Sequence, residues 1–547
     1  MKTKQPNKPA VAAGHELAAQ IAWDVLQSGG NAVDAGVAGV MALSVLHSEQ
    51  VQFGGIAPML VRPPAGEVFA IDGVGRWPMA IDPEAFVRDH ASRIPRGILR
   101  TVTPALPAAC IEALRRFGTF GFSDLATPAM SLAQNGFPAH QDLSLISKRF
   151  QRHYSAQPEN ADIWLPNGAP IEVGDTFLQP ALAATLQRLV DADRQAAAKQ
   201  GRAAGLEAVR REFYEGDIAT TMIRHVENHG GVLSADDLKS HWVEVEAPVS
   251  GPVGEGRLYT PGSASQGPSL IQALQIMEQL CKAKPKMDQT EYLGAILRSV
   301  ELAMADRDRF YGDRDFTDVP FDRLLNPAHA KELTASSGAN FAHSNVENTV
   351  PSLDTSVIAV LDKDGGLFVA TPSDQSHDAP AVPGLGFVMS TRGGQSFVDQ
   401  KHPACIRPGK RPRASASPFV FKDHDDRLVA GGGPGADLLI QAATQVLAHH
   451  LFSDVPLAQA IEAPRVFNLA PPGSSEPHLS FSGKVAVEGT MPKATFTALG
   501  ELGFGAVWDD PNNVGKPSLC MIEAIATTGQ TFAHVDPRRA GGARVGT

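Results

Sequence analysis

Hydrophobic positions recur with two periods along this chain, and the change between them falls near residue 355. Residues 15–28 set Leu17, Ile21, Val25 and Leu26 on one helical face, and "GGN" at 29–31 supplies a left-handed stop. A second helix is predicted over 32–47, rich in Ala and Gly and therefore suited to a crowded central place. "VQFGGIAPMLVRPPAGEVFAID" (51–72) predicts a glycine turn followed by a strand hairpin. Helical periodicity dominates from about 107 to 235, and the Ala- and charge-rich stretch 191–213 within it predicts a solvated surface helix. A strand, a Gly/Ser-rich turn and a helix follow over 251–280. Residues 299–325 predict a helix ending in alternating Asp and Arg, a pattern that usually forms a surface ion-pair network.

The segment 331–352 is polar, turn-rich and aperiodic, which predicts flexibility. Beyond it the pattern changes to strands at 355–361, 367–371 and 385–390, with glycine loops and a helix near 437–449. Val357, Ile358, Ala359, Val360 and Leu361 make the first of these apolar on both faces, as in a strand covered on both sides. Asp354-Thr355-Ser356 stands at its mouth. Thr355 is either an ordinary strand-start threonine with local hydrogen bonds or a nucleophile held at the end of a rigid element. Ser356 is the competing hydroxyl, and its side chain is expected on the opposite face.

Composition narrows the classes. With 43% hydrophobic and 20% charged residues, the 547-residue chain can bury a substantial core. Its net charge of -11 is spread without a basic stripe, so neither a nucleic-acid nor a membrane partner is expected. The N-terminal stretch has no apolar h-region, so no signal peptide is expected, and the apolar run 35–46 is too short to span a bilayer. Cys110, Cys281, Cys405 and Cys520 are far apart, which predicts no metal or disulfide framework, no cofactor, and a reducing cytoplasm. "GGGPGAD" (431–437) lacks the Lys-Ser/Thr of a phosphate loop, and "LGFGAV" (502–507) lacks the acidic residue of a dinucleotide site. His15, His47 and His377 have no metal-type spacing and are expected to be structural or surface residues.

Eight segments in one order carry a resemblance. They are "HELAAQIAWDVLQSGGNAVDAGVA", "FGGIAPMLV", "FYEGDIATTMIRHVENHGGVLSADDL", "AMADRDRFYGDRDFTDVP", "DTSVIAVLDKDGGLFVAT", "PGKRPRASASP", "GGGPGADLLI" and "DPRRAGGA". Together they resemble the γ-glutamyltranspeptidase family of N-terminal-nucleophile hydrolases over nearly the whole chain. The resemblance implies an α+β fold, a four-layer αββα sandwich, and a precursor that cuts itself once. The nucleophile falls on Thr355, with cleavage after Asp354. The products are a large chain, 1–354, and a small chain, 355–547, which stay together as a heterodimer and form one interwoven unit. Further dimerisation is left open.

The resemblance also implies a site. Ser373 stands where a second threonine steadies the nucleophile, and Gln375 replaces an asparagine that contacts substrate. Both replacements keep their hydrogen-bonding ability. Gly435 and Ala436 fall on the oxyanion-hole pair, whose N–H donors are worth about 3–4 kcal/mol each. Ala436 keeps its N–H, and suits the place unless a positive φ is required. Arg76 lies two residues later than the family's carboxylate-binding arginine. The acid that pairs a substrate ammonium falls on Ser396, and of two adjacent serines only Ser415 remains.

Losing that acid argues against a γ-glutamyl substrate. The closer resemblance is to the subgroup that includes oxamate amidohydrolase. Arg76 or Arg392 would then hold the carboxylate of a small amide, with water as the acceptor. Two alternatives remain: a γ-glutamyltransferase or glutathione hydrolase, and an uncut, non-catalytic relative with a binding role. Arg76 equally suits a buried structural ion pair, and Ser373 and Ser415 suit satisfied core hydroxyls.

Overall fold

The computed structural model describes residues 8–64, 66–283, 289–335, 354–509 and 517–546. Two antiparallel sheets lie at its centre. One has seven strands in the order Gly542–Val545, Ala10–Ala13, Ile358–Leu361, Leu367–Ala370, Met59–Arg62, Phe69–Ile71 and Val245–Glu246. The other has six: Gln530–Val535, Cys520–Ile525, Arg427–Gly432, Phe419–Asp423, Gly256–Thr260 and Val249–Val253.

Strand alternation explains the layering. Ala10, Ala12, Val357, Ala359 and Leu361 pack with Val420, Leu428, Ala430 and Ile522 of the second sheet in a core between the sheets. Their alternates Val11, Ala13, Ile358 and Val360 join a core with the helices Glu16–Gln27, Ala32–Leu46 and Leu106–Phe117. On the far side, Leu258, Phe419, Phe421 and Val429 pack with the helices Gly267–Ala283, Gln289–Phe310 and Asp437–Phe452. The result is helix, sheet, sheet, helix, an α+β sandwich in four layers. Period-two alternation with apolar residues at both phases is what a strand needs to face two cores.

The helix Ala32–Leu46 is buried along its whole length. Asn31 starts it with a capping box to Asp34. Its glycines allow close approach: a Cβ on Gly36 would sit 2.0 Å from Phe368 Cδ1 on the neighbouring strand.

Four local expectations are corrected. The predicted surface helix 191–213 is split by Gly201 (φ +83°), and its second half buries Leu206, Val209, Phe213 and Tyr214. The Asp/Arg alternation is a surface network only in part, because Asp306, Arg307 and Asp313 are buried while Arg309, Arg314, Asp315 and Asp318 are exposed. Residues 385–390 form no strand; the backbone there instead bonds to the distant segment 52–54, with Val388 N–H donating to the Gln52 side chain at 2.7 Å and Ser390 N–H to the Gly54 carbonyl at 2.9 Å. The strand expected from 355 begins at Ile358. Most of the segment predicted to be flexible, 336–352, lies outside the described residues.

Gly36→Ala tests the helix–sheet contact. Alanine ordinarily stabilises a helix interior by about 1 kcal/mol over glycine. Here the Phe368 ring must move, so a net loss of about 1–3 kcal/mol in urea unfolding is expected.

Candidate active site

Between the sheets, just before the strand Ile358–Leu361, the backbone of Thr355 is pinned from both sides. Its N–H donates to the Gln50 carbonyl at 3.1 Å, and the next N–H, of Ser356, donates to the Pro372 carbonyl at 2.9 Å. Ser373 is fixed in turn by a reciprocal pair with Ile56, at 2.9 and 3.1 Å. The "FGGI" glycines make this possible. A Cβ on Gly55 would fall 2.3 Å from the Ser373 carbonyl, and one on Gly54 2.6 Å from the Phe387 ring.

The pinning forces Thr355 to φ +101°, a region costly for a β-branched residue. Such outliers store about 1–3 kcal/mol and persist only where the surroundings over-determine them. Thr355 Oγ1 lies 2.7 Å from Ser373 Oγ. Ser356 points the other way, to His47 Nδ1 at 3.0 Å, as strand parity predicts. Burial, with His140, His15 and Arg539 nearby, holds the His47 imidazole neutral.

Arg392 ties this pair to the residue before it. One guanidinium nitrogen, Nη2, donates both to Ser373 Oγ and to the Asp354 carboxylate. Arg392, Asp354 and Thr355 are each only 2% exposed. Asp374 adds a second acid, with Oδ1 3.5 Å from Arg392 Nε and Oδ2 accepting from the Ser390 hydroxyl at 2.7 Å. Burial pushes the Asp374 carboxyl up to about 6, against the pull of Arg392. A cleft begins here, lined by Asp354, Asp374, Gln375 and Arg392 and continuing past Arg100 and Asp378. Arg100 and Asp378 pair at 2.7 Å.

Gly435 (φ +129°) and Ala436 (φ +48°) precede the helix Asp437–Phe452, so their N–H groups lie at its positive end. Ala436 therefore does occupy a positive-φ position. A relay joins it to Arg392. Gln266 donates to the carbonyls of Ala436 (2.9 Å) and Ser415 (2.6 Å), and Gln395, on the short 3-10 helix Arg392–Gln395, donates to the Ser415 hydroxyl at 2.9 Å. The buried charges brace the same region: Arg307 pairs with Asp437, and Arg413 donates to the Arg307 carbonyl at 2.9 Å.

The structure thus brings together Asp354, Thr355, Ser373, Gln375 and Arg392, and links Ser415 and Ala436 to them. It takes two expected substrate residues elsewhere. Arg76 pairs with Asp315 (3.1 Å), Asp313 and Glu244 (both 3.6 Å) and does not line the cleft. Three acids around one half-buried guanidinium make this a structural ion-pair cluster. Ser396 spends its hydroxyl accepting from Trp77 Nε1 at 2.9 Å. Arg100, Asp374, Asp378 and Gln395 were not expected from the sequence. Asp374 and Gln395 sit one or three residues from expected positions, but nothing near Arg100 or Asp378 signals a pair 278 residues apart.

Comparison with known proteins relates the chain to one family. The family described as Gamma-glutamyltranspeptidase matches residues 18–546. The Escherichia coli (strain K12) glutathione hydrolase proenzyme is 28% identical over 487 residues, covering 83% of this chain and 80% of that protein. The oxamate amidohydrolase proenzyme of Klebsiella pneumoniae is 27% identical over 485 residues, covering 87% and 88%. Among solved structures, LmbA2991HD superposes with a TM-score of 0.88 at 28% identity, covering 100% of both chains.

Two outcomes follow. A carboxyl whose folded pKa is raised binds its proton more tightly in the native state. Its contribution is therefore present at low pH and is lost as pH rises from about 4 through about 6. Urea unfolding of the uncut chain should lose on the order of 3 kcal/mol between pH 4 and 7 relative to Asp374→Asn. At residue 436, Ala436→Val should cost about 2 kcal/mol or more while Ala436→Gly costs none, because only glycine is at ease at this φ.

Proposed function

The chain belongs to the gamma-glutamyltranspeptidase family and is an enzyme of the N-terminal-nucleophile type, and on that premise we propose that Thr355 is its nucleophile, exposed by self-cleavage after Asp354. The observation that carries this reading is the Thr355–Ser373 hydroxyl pair at 2.7 Å on a backbone forced to φ +101°. Strain at the scissile residue raises the ground state of that peptide bond and is relieved when the bond breaks.

Cleavage proceeds by attack of Thr355 Oγ1 on the Asp354 carbonyl carbon. The C–N bond breaks and the hydroxyl proton passes to the Thr355 nitrogen, leaving an ester and a free α-amine. Water then opens the ester to give chains 1–354 and 355–547, which remain one unit. In the mature enzyme the α-amine, with an ordinary pKa of about 7.7–8, takes the proton of its own hydroxyl. The hydroxyl attacks the amide carbonyl of a substrate, and the Gly435 and Ala436 N–H groups stabilise the developing oxyanion. The amine leaves with that proton, and water hydrolyses the acyl-enzyme. Ser373 steadies the hydroxyl; Arg392 and Gln375 hold the substrate.

A small amide bearing a carboxylate suits this site. Arg392 supplies a buried cation next to the nucleophile, while the position where a γ-glutamyl ammonium would need an acid is Ser396, already engaged by Trp77. The oxamate amidohydrolase relative supports the same class. The glutathione hydrolase relatives favour γ-glutamyl transfer as the second reading.

Intact-mass analysis of purified protein should give two fragments meeting at 354/355, and Thr355→Ala should give one full-length chain. Ammonia release from small amides should fall about a thousandfold or more in that variant. Rapid chromophore release from γ-glutamyl-p-nitroanilide, stimulated by glycylglycine, would replace the first substrate class with the second.

A further inference from the structure

The ester formed during self-cleavage and the acyl-enzyme formed during catalysis belong to one chemical class. Each is an acyl group on Thr355 Oγ1 beside a free α-amine, and each is hydrolysed by water. The acyl group of the first is that of Asp354, so the uncut chain carries its own first substrate already seated. Its scissile carbonyl belongs to the Asp354 backbone, and its carboxylate, two carbons away through Cα and Cβ, is held by Arg392.

We propose, resting on the nucleophile assigned above, that Asp354 occupies the carboxylate subsite of the mature enzyme in cis, and that the enzyme acts on monoamides of four-carbon dicarboxylic acids. The spacing between carbonyl and carboxylate is the property inherited. In oxamate the two groups are directly joined, and in a γ-glutamyl amide three carbons separate carbonyl from α-carboxylate. A succinyl or aspartyl group reproduces the two-carbon spacing of Asp354.

Two further observations bear on this. The tethered carboxylate uses only part of what the site offers: Asp354 Oδ1 and Arg392 Nε, both buried, have no hydrogen-bond partner among the described residues, Nε having only the Asp374 carboxylate at ion-pair distance, 3.5 Å. A free carboxylate can turn to engage the guanidinium with both oxygens, a geometry stronger than a single prong. Asp354 and Arg392 also line the cleft that runs on past Arg100, so a ligand entering by it meets the subsite Asp354 fills. Cleavage completes the exchange: the Asp354–Thr355 bond breaks, Asp354 gains its α-carboxylate, and the side chain is no longer tethered to the nucleophile.

The test separates occupancy from turnover. In Thr355→Ala, where the chain stays uncut, succinate should not bind by titration calorimetry. In Thr355→Ala with Asp354→Ala it should bind, about tenfold or more tightly than malonate or glutarate. Adding Arg392→Gln should abolish that binding, with circular dichroism confirming the fold of each variant. Wild-type processed protein should release ammonia from succinamate or L-isoasparagine about tenfold or more faster, in kcat/KM, than from oxamate or glutaramate. Equal succinate binding with Asp354 in place, or none after its removal, overturns the proposal. A maximum at another chain length overturns it while leaving amide hydrolysis intact. A Thr355→Ala chain that is still cut overturns the nucleophile assignment itself.

Discussion

A guanidinium enclosed by protein is tolerable only where acids and acceptors meet it, and Arg392 is the buried charge around which this site is arranged. It holds the carboxylate of the residue before Thr355, the hydroxyl that partners Thr355, and, at 3.5 Å, the carboxylate of Asp374. Removing one partner from such a cluster leaves an uncompensated charge, which costs several kcal/mol. The backbone of Thr355 can therefore be kept at an unfavourable angle because the groups on either side of it are not free to relax. The two sheets supply the rigid frame; Arg392 supplies the local lock.

The same logic reaches outward. Arg411 meets Asp72 and Asp313, while Arg307 meets Asp437 and donates to the Pro472 carbonyl at 2.6 Å. These pairs tie the long helix Gln289–Phe310 and the loop after it to the segment that carries Ser415 and to the helix that follows Ala436. Nucleophile-side and oxyanion-side elements come from different sheets, so a polar brace between them is what keeps their separation fixed.

Much of this was legible in the sequence, because the signals were local or periodic. Period-two alternation with both phases apolar revealed the strand beneath Thr355 and predicted that Ser356 would turn away from it. The Gly-rich and Ala-rich helix over 32–46 could be placed centrally from its lack of bulky side chains. What stayed hidden was non-local. Alternating Asp and Arg looks solvated until the opposite charges arrive from residues 411–413, as Arg411 does at Asp313 and Arg413 at Asp308. The apolar run 385–390 resembles a strand, yet a Gln52 side chain takes the bond that a neighbouring strand would have made. Arg76 could not be told from a ligand until Asp313 and Asp315 were seen beside it.

The seven-stranded sheet carries a last implication. Its strands Ala10–Ala13 and Met59–Arg62 flank Ile358–Leu361 and Leu367–Ala370, so segments from before and after residue 354 are interleaved. Neither piece of a severed chain owns either central sheet whole, and dissociation would be the same event as denaturation. Once severed, recovery needs an encounter between two molecules rather than one, and midpoints come to depend on concentration. Maturation in such an architecture would exchange a chain that can renature by itself for one whose working life is set by how slowly it comes apart.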